Sequence, residues 1–131
     1  MDVLARHAGL EVRVVDIGVN FDFAAVPGLI HKKVMSGTKN LMKESAMSPA
    51  QAEQAIHVGI ELATEASQQG IGLIGTGEMG IGNTTASSAI TAVLTGRPDS
   101  EVTGRGTGSE DASHDRQSDG VQKALAFHRA R

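Results

Sequence analysis

Cysteine, tryptophan and tyrosine are all absent from this chain of 131 residues. Without cysteine there can be no disulfide and no thiolate metal site, which fits a reducing, cytoplasmic setting. Phenylalanine occurs only three times, so the core has to consist mainly of aliphatic side chains and methionine. No apolar run is long enough to span a membrane, and the N-terminal residues lack the apolar stretch of a signal peptide. We therefore expect a soluble cytoplasmic protein.

A strong excess of charge of either sign is also missing. Twelve Lys and Arg against 15 Asp and Glu give a net charge of −3, so we expect no basic face dense enough to bind nucleic acid. The five histidines have no metal-like spacing with carboxylates, and we expect neither a metal nor another cofactor. At this length, residues 1–131 are predicted to form a single α/β domain with its own core.

Hydrophobic patterning predicts two strands with one helix between them. Residues 11–16 are rich in β-branched side chains, residues 71–74 form a short apolar run, and an apolar helical face extends over residues 48–68. Residues 18–47 show no regular pattern, and so long an irregular stretch is usually functional. The order strand, helix, strand predicts an α/β fold with a Rossmann-like parallel sheet and flanking helices, built around residues 12–16 and 71–75.

The long helix carries a clear start signal. Ser48 is expected to be its N-cap, Pro49 occupies the first helical position, where its missing N–H costs nothing, and Gln51 completes a capping box. Gly70 should end the helix. In the same way, Gly96 followed by Pro98 should end a later helix.

A glycine-rich segment follows the second predicted strand, at the strand end where parallel sheets bind ligands. Residues 77–85 read Gly-Glu-Met-Gly-Ile-Gly-Asn-Thr-Thr, and small residues then predict a helix from Thr85 to Leu94. Glycines let the backbone approach a ligand, and the free amides at a helix start favour an anion, usually phosphate. Glu78 adds a carboxylate inside the turn. The segment therefore predicts a site for a phosphate together with a group that needs a base or a hydrogen-bond acceptor.

Other interpretations of this segment remain open. Gly77, Gly82 and Thr84 match the spacing of a nucleoside-triphosphate loop, but Asn83 stands where that loop has its lysine. A dinucleotide pattern can be drawn from Gly75, Gly77 and Gly80, although a run this rich in glycine matches several templates by chance. A tight connection that binds nothing, with Asn83 acting only as the helix N-cap, is the remaining alternative.

The segment resembles the signature of the nicotinate-nucleotide–dimethylbenzimidazole phosphoribosyltransferases, which make the lower-ligand nucleotide of cobalamin. Residues 15–19 (Val-Asp-Ile-Gly-Val), 27–40 and 46–48 resemble further parts of that family, as does the second glycine loop at residues 104–108. The similarity covers about residues 3–125. The chain resembles the central part of a longer subunit, so we expect a sheet that is partial relative to the family, with the N-terminal lead-in and the C-terminal half absent.

The resemblance implies a transferase that moves phosphoribose from nicotinate mononucleotide to 5,6-dimethylbenzimidazole, with nicotinate leaving and α-ribazole 5′-phosphate forming. It implies a homodimer and the small molecules just named as partners. Glu78 is the implied catalytic residue of this chain. The implied substrate-binding residues are Met79 beside the base, the backbone of Gly80 and Gly82 at the phosphate, and Asn83, Thr84, Gly104, Gly106, Thr107 and Gln117.

Two departures from the family pattern affect this expectation. The position of Gln117 usually carries a lysine that meets the phosphate, so a neutral amide here replaces a cation. The family's catalytic glutamate lies in the C-terminal half, and no residue of this chain matches it. The alternative is therefore a truncated, catalytically incompetent homologue that only binds nucleotide or azole, or complements a partner chain.

Overall fold

The computed structural model describes the backbone of residues 2–103 and 111–129 and, within them, the side chains of residues 3–103 and 117–128. The elements in these ranges are α1 (Asp2–His7), β1 (Val14–Asp16), β2 (Leu29–His31), α2 (Pro49–Gln68), α3 (Thr84–Thr95), α4 (Asp99–Val102) and α5 (Asp111–Arg129). The chain divides into two compact units: unit 1 is Met1–Thr38 with Met47–Ile74, and unit 2 is Lys39–Ala46 with Gly75–Arg131. That residues 1–131 act as one domain stays a prediction.

The sheet of unit 1 is a single parallel pair. β1 lies beside β2, with Val14 opposite Leu29 and Asp16 opposite His31. The predicted α/β class with a small parallel sheet and flanking helices is confirmed, but the predicted partner of β1 is wrong. β2 lies in the stretch predicted to be irregular, whereas residues 71–74 form no strand, because no neighbouring segment among the described residues pairs with their backbone.

The connection between the two parallel strands, residues 17–28, contains no helix, although such crossovers usually do. Side chains beside the start of this connection hold it in place instead. Asp16 is only 2% exposed; its Oδ1 accepts a hydrogen bond from the Val19 N–H at 2.9 Å, and its Oδ2 lies 3.3 Å from Lys33 Nζ. Lys33 Nζ also donates to the carbonyl oxygens of Val19 and Phe21. One carboxylate and one ammonium group therefore hold the first part of the crossover, up to Phe21.

The predicted helix start in unit 1 is confirmed in every part. Ser48 Oγ accepts from the Gln51 N–H, and the Gln51 side chain accepts from the Ser48 N–H, which completes the capping box with Pro49 behind it. Val58 and Ala66 of α2 are buried. An ion pair of 2.7 Å joins Lys32, just after β2, to Glu61 of α2, so polar contacts as well as apolar ones hold this helix in the unit.

Unit 2 is built on the packing of α3 against α5. The buried residues of α3 are small, Ser88, Ala89 and Ala92, and those described on α5 are Gly120, Val121 and Ala124. The large aliphatic residues of α3 point the other way: Ile90, Val93 and Leu94 are exposed. Small residues on both helices allow a close approach. Gly96 ends α3 in the left-handed conformation, as predicted.

The short helix α4 links these two helices through hydrogen bonds. Ser88 Oγ of α3 donates to the Val102 carbonyl at 3.3 Å. Asp99 Oδ2 accepts from Ser118 Oγ at 2.6 Å and from Gln122 Nε2 at 3.0 Å. The Ser118 hydroxyl, followed by the Gln122 amide, lowers the pKa of Asp99 against the opposing effect of burial. The carboxylate therefore remains charged and holds α4 to α5 at neutral pH.

The crossover of unit 1 should weaken in acid. The Val19 N–H, together with Lys33, lowers the pKa of Asp16 below its unfolded value near 3.8, although burial opposes the shift. A lowered pKa stabilises the fold above about 3.8, and this stability is lost as the pH falls through the lower, folded pKa. We expect Asp16→Asn, which can still accept from Val19 but cannot pair with Lys33, to lower the thermal midpoint at pH 7, with the difference shrinking below pH 3.8.

Asp22→Asn is the matched control for this experiment. Asp22 also lies near Lys33, at 3.6 Å, but its side chain is 95% exposed, so its removal should change the midpoint little at any pH. The thermal midpoints of the parent, Asp16→Asn and Asp22→Asn are measured by circular dichroism at pH 7 and across the acid range. Equal melts of Asp16→Asn and the parent at pH 7 would contradict the role given to this carboxylate.

On α3 the buried residues are small and the large aliphatic ones are exposed, which leads to a second prediction. Ala92→Leu adds volume where two helices meet and should lower the free energy of unfolding by about 1–3 kcal/mol. Ile90→Ala removes a larger side chain from the exposed face and should change it by less than about 0.5 kcal/mol. Urea titrations followed by far-UV circular dichroism measure both. The reverse ranking would show that Ile90, and not Ala92, faces the core of unit 2.

Candidate functional site

The glycine-rich turn ends at the first residue of α3. Gly80 and Gly82 both have φ of +79°, the left-handed region that residues with a side chain avoid at a cost of about 1–2 kcal/mol. The Asn83 N–H donates to the Gly80 carbonyl at 3.4 Å and closes the turn. Glycine is therefore required at positions 80 and 82 by the backbone itself, which was the reason to expect a turn of this kind.

The first backbone amides of α3 are available to a ligand. The N–H groups of Thr84, Thr85 and Ala86 have no hydrogen-bond acceptor in the part of the chain that is described, and the first amide engaged is that of Ser87, which donates to the Asn83 carbonyl at 2.9 Å. Such amides and the positive end of the helix dipole attract anions. The predicted helix start is confirmed, and its chemistry suits a phosphate group.

Glu78 lies in the turn with its carboxylate exposed. Its Oε1 is 3.6 Å from where a Cβ on Gly80 would stand, so the side chain folds back over the turn. Among the described residues it has neither a hydrogen-bond donor nor a cation as partner. Next to it, Met79 and Ile81 are almost fully exposed. The turn thus combines a free carboxylate, a flexible thioether and two left-handed glycines on an open surface.

Asn83 occupies the N-cap position of α3, but its side chain makes no capping hydrogen bond. Its backbone is in the helical region, with φ −118° and ψ −9°, whereas a capping side chain needs an extended backbone to reach back. The Asn83 Oδ1 atom is buried and has no donor among the described residues. The interpretation of Asn83 as a side-chain cap is wrong, and an unsatisfied acceptor is left at the base of the turn.

Gln117 lies on the face of α5 that is directed towards α3. It precedes Gly120 by three residues and Val121 by four, so the three share one helical face. A Cβ on Gly120 would meet Cγ2 of Thr85, in the first turn of α3, at 3.6 Å. Gln117 itself is half-buried. The second predicted loop, with Gly104, Gly106 and Thr107, lies outside the described residues.

Asp16, at the end of β1, serves the fold. Its contacts to Val19 and Lys33 leave the carboxylate buried in its own unit. Sequence reasoning did not find Lys33 as its partner, since nothing in a stretch without periodicity indicates which of several lysines folds back. Among the described residues, no group of three His, Asp or Glu side chains could hold a metal ion. No helix in these same ranges is long and apolar enough to cross a membrane.

An α/β fold whose glycine-rich turn leaves free amides at a helix start is typical of proteins that hold the phosphate of a small molecule. A family model described as phosphoribosyltransferase matches residues 1–131. The chain belongs to this family, which confirms the resemblance drawn from the turn.

Individual relatives carry the more specific name nicotinate-nucleotide–dimethylbenzimidazole phosphoribosyltransferase. One from Geotalea uraniireducens is 53% identical over 129 residues, 98% of this chain and 37% of the relative. One from Chloroflexus aggregans is 52% identical over 98% of this chain and 36% of its own length. The crystal structure of CobT from Thermus thermophilus superposes with a TM-score of 0.87 at 43% identity, covering 96% of this chain and 38% of that one. The chain spans little more than a third of these relatives.

The left-handed glycines give a direct test of the site. Gly82→Ala has free space for its methyl group, so its effect should come from the strained φ alone, about 1–2 kcal/mol. We expect it to weaken the binding of a phosphate-bearing nucleotide at the turn by roughly 5- to 30-fold. Isothermal titration calorimetry measures the change.

Gly77→Ala is the matched control, since Gly77 lies in the same turn without a positive φ and also has free space around it. It should bind within about twofold of the parent, because alanine adopts such a backbone without strain. Equal losses in both variants, no loss in Gly82→Ala, or no saturable binding by the parent would each contradict the site.

Proposed function

We propose that this chain forms the nucleotide-binding part of a phosphoribosyltransferase site. The reaction is transfer of phosphoribose from nicotinate mononucleotide to 5,6-dimethylbenzimidazole, giving α-ribazole 5′-phosphate and nicotinate for the nucleotide of cobalamin. The turn at residues 77–85, with left-handed Gly80 and Gly82 and the free amides of α3 behind them, is the observation that carries this proposal. Family membership and the names of the relatives support it.

The residues of the turn suit different parts of the nucleotide. The N–H groups of Thr84, Thr85 and Ala86 can donate hydrogen bonds to the phosphate oxygens, which needs no change in protonation. The Oδ1 of Asn83 is buried without a donor among the described residues, and a turn of this side chain towards the surface would let it accept a hydrogen bond from a ribose hydroxyl. Met79 projects from the turn, where its polarisable thioether can lie against a flat base. Together these groups would fix the sugar between its leaving base and the incoming one.

The proposed transfer mainly requires the protein to position the sugar and the two bases. The bond between C1′ and the pyridinium nitrogen breaks, nicotinate departs as the ring loses its positive charge, one azole nitrogen forms the new bond to C1′, and the other azole nitrogen releases its proton to water. Because the leaving group carries its own driving force, holding the two rings in line supplies much of the acceleration. In our proposal the Glu78 carboxylate, without a hydrogen-bonding partner among the described residues, accepts a hydrogen bond from the azole N–H and raises the nucleophilicity of the other nitrogen.

The phosphate end of the proposed site has fewer charges than in the family pattern. Gln117, directed towards the start of α3, offers an amide where the family usually has a lysine. A neutral donor gives a hydrogen bond roughly half as strong as a charged one. We therefore expect weaker phosphate binding than in a lysine-bearing relative. Gly104, Gly106 and Thr107 are proposed to add backbone contacts to the same group.

The alternative is a chain that binds nucleotide or azole without turnover, or that complements a partner. One observation favours it: large aliphatic side chains of α3 and of residues 71–74 are exposed, although such residues normally pack under further layers of an α/β fold. By resemblance we also propose a homodimer, and by composition a cytoplasmic setting.

Product analysis with a glutamate variant decides between these functions. The chain is incubated with nicotinate mononucleotide and 5,6-dimethylbenzimidazole, and α-ribazole 5′-phosphate and nicotinate are separated by chromatography. We expect Glu78→Gln to slow product formation by about 10- to 100-fold, as for the loss of a hydrogen bond to a charged group.

Glu53→Gln is the control, because it makes the same charge change on an exposed face of α2 and should leave the rate unchanged. Equal rates in Glu78→Gln and the parent would contradict the role of Glu78. Saturable binding without any product would favour the alternative function.

A further inference from the structure

We propose that Lys43 binds the phosphate group of the nucleotide and supplies the positive charge that Gln117 does not. The proposal rests on the proposed function for the identity of the ligand. It gives a substrate-binding role to the loop Lys39–Ala46, which belongs to the same compact unit as α3 and α5.

The backbone of the loop Lys39–Ala46 is held by its own hydrogen bonds. The Lys39 N–H donates to the Ala46 carbonyl at 2.9 Å, which joins the two ends of the loop. Between them, the N–H groups of Lys43 and Glu44 both donate to the Asn40 carbonyl, at 2.9 and 3.0 Å. The position of the Lys43 backbone is therefore set before any ligand binds.

Two contacts place this loop against α5. His128 Nε2 lies 2.9 Å from the carbonyl oxygen of Leu41. Met42 Sδ lies 3.7 Å from where a Cβ on Gly120 would stand, and Thr85 Cγ2 lies 3.6 Å from the same point. Since Thr85 belongs to the first turn of α3, the loop reaches the place where α5 meets the start of α3.

Lys43 follows Met42 directly, and its ammonium group stands at the end of a flexible four-carbon stem. The free N–H groups at the start of α3 lie near the same place, and Gln117 precedes Gly120 by about one helical turn on the same face. An ammonium group on such a stem can reach a phosphate that the α3 amides bind. Lys43 and Gln117 then contact one phosphate from two sides.

Charge pairing singles out Lys43 among the cations of unit 2. The other lysine and arginine side chains described in this unit each have a carboxylate within 3.2 Å, in the pairs Lys39–Glu44, Arg97–Glu101 and Lys123–Asp119. Lys43 is exposed, and its ammonium group has no partner among the described residues. A phosphate would give it one, in a charge-assisted hydrogen bond about twice as strong as a neutral one.

Titration calorimetry with two ligands tests this role. The ligands are nicotinate mononucleotide, the nucleotide of the proposed reaction, and nicotinate riboside, the same molecule without its phosphate. We expect Lys43→Gln to weaken binding of the mononucleotide by about 3- to 10-fold and to leave binding of the riboside unchanged. A residue that only stabilised the fold would affect both ligands alike.

Three further variants isolate the charge at position 43. Lys43→Arg keeps it and should bind the mononucleotide within about twofold of the parent. Lys39→Gln is the matched control, because it makes the same charge change in the same loop at an ammonium group that Glu44 already neutralises. Its binding should also stay within about twofold. Gln117→Lys, added to Lys43→Gln, should recover most of the lost affinity because it returns a cation to the same phosphate.

Three results would overturn the role of Lys43. These are equal affinities of Lys43→Gln and the parent for the mononucleotide, equal losses in Lys43→Gln and Lys39→Gln, or equal losses for the two ligands.

Inorganic phosphate separates this proposal from the proposed function. It is titrated into the parent and Lys43→Gln while nuclear magnetic resonance follows the amide signals of residues 84–86. Phosphate binding that weakens in Lys43→Gln, in a chain that does not bind the mononucleotide, would support the role of Lys43 and contradict the proposed nucleotide site. A parent chain that binds neither phosphate nor the mononucleotide would overturn both.

Discussion

The close approach of α3 and α5 is the constraint on which the candidate site depends. The buried residues described on both helices are no larger than valine, with Ala92 on one and Val121 on the other fully buried. A bulky residue at this contact would move the start of α3, and with it the amides that face the turn. The same contact brings the face bearing Gln117 towards Thr85. Packing in this unit therefore sets the positions of the free amides of α3 and of the face that bears Gln117.

In unit 1, charged side chains hold the connection between the two parallel strands. A parallel pair of strands joined by about a dozen residues has no crossover helix to cover it. Asp16 is buried at the base of the crossover, and Lys33 reaches it while donating to two carbonyl groups of the same loop. A buried carboxylate is costly without such partners. The pair therefore holds one loop conformation, a function that the few buried apolar residues of this unit could not perform alone.

Features that depend on a few adjacent residues could be predicted from the sequence, whereas the pairing of the strands could not. The capping box at Ser48 and the left-handed Gly70 and Gly96 depend on a few adjacent residues, and all three were correctly predicted. β2 was missed because three residues give no periodicity, and its partner lies about a dozen residues away. For Asn83 the residue type indicated a cap, but whether the side chain can cap depends on its own backbone angles, which the residue type does not give. The family was predictable because the turn needs glycine at fixed positions.

Forming the turn and keeping water away from a reacting centre are two different physical requirements. The conformation at Gly80 and Gly82 is local to the turn, and α3, whose first amides are free, packs against α5 in the same unit. Transfer of phosphoribose also needs water to be kept from the sugar while the glycosidic bond is broken, and an open surface cannot do that. Met79, Ile81 and Leu73 are all exposed. In our proposal the turn and the free amides of α3 account for nucleotide recognition, and protection of a reacting centre from water would require these apolar residues to be covered.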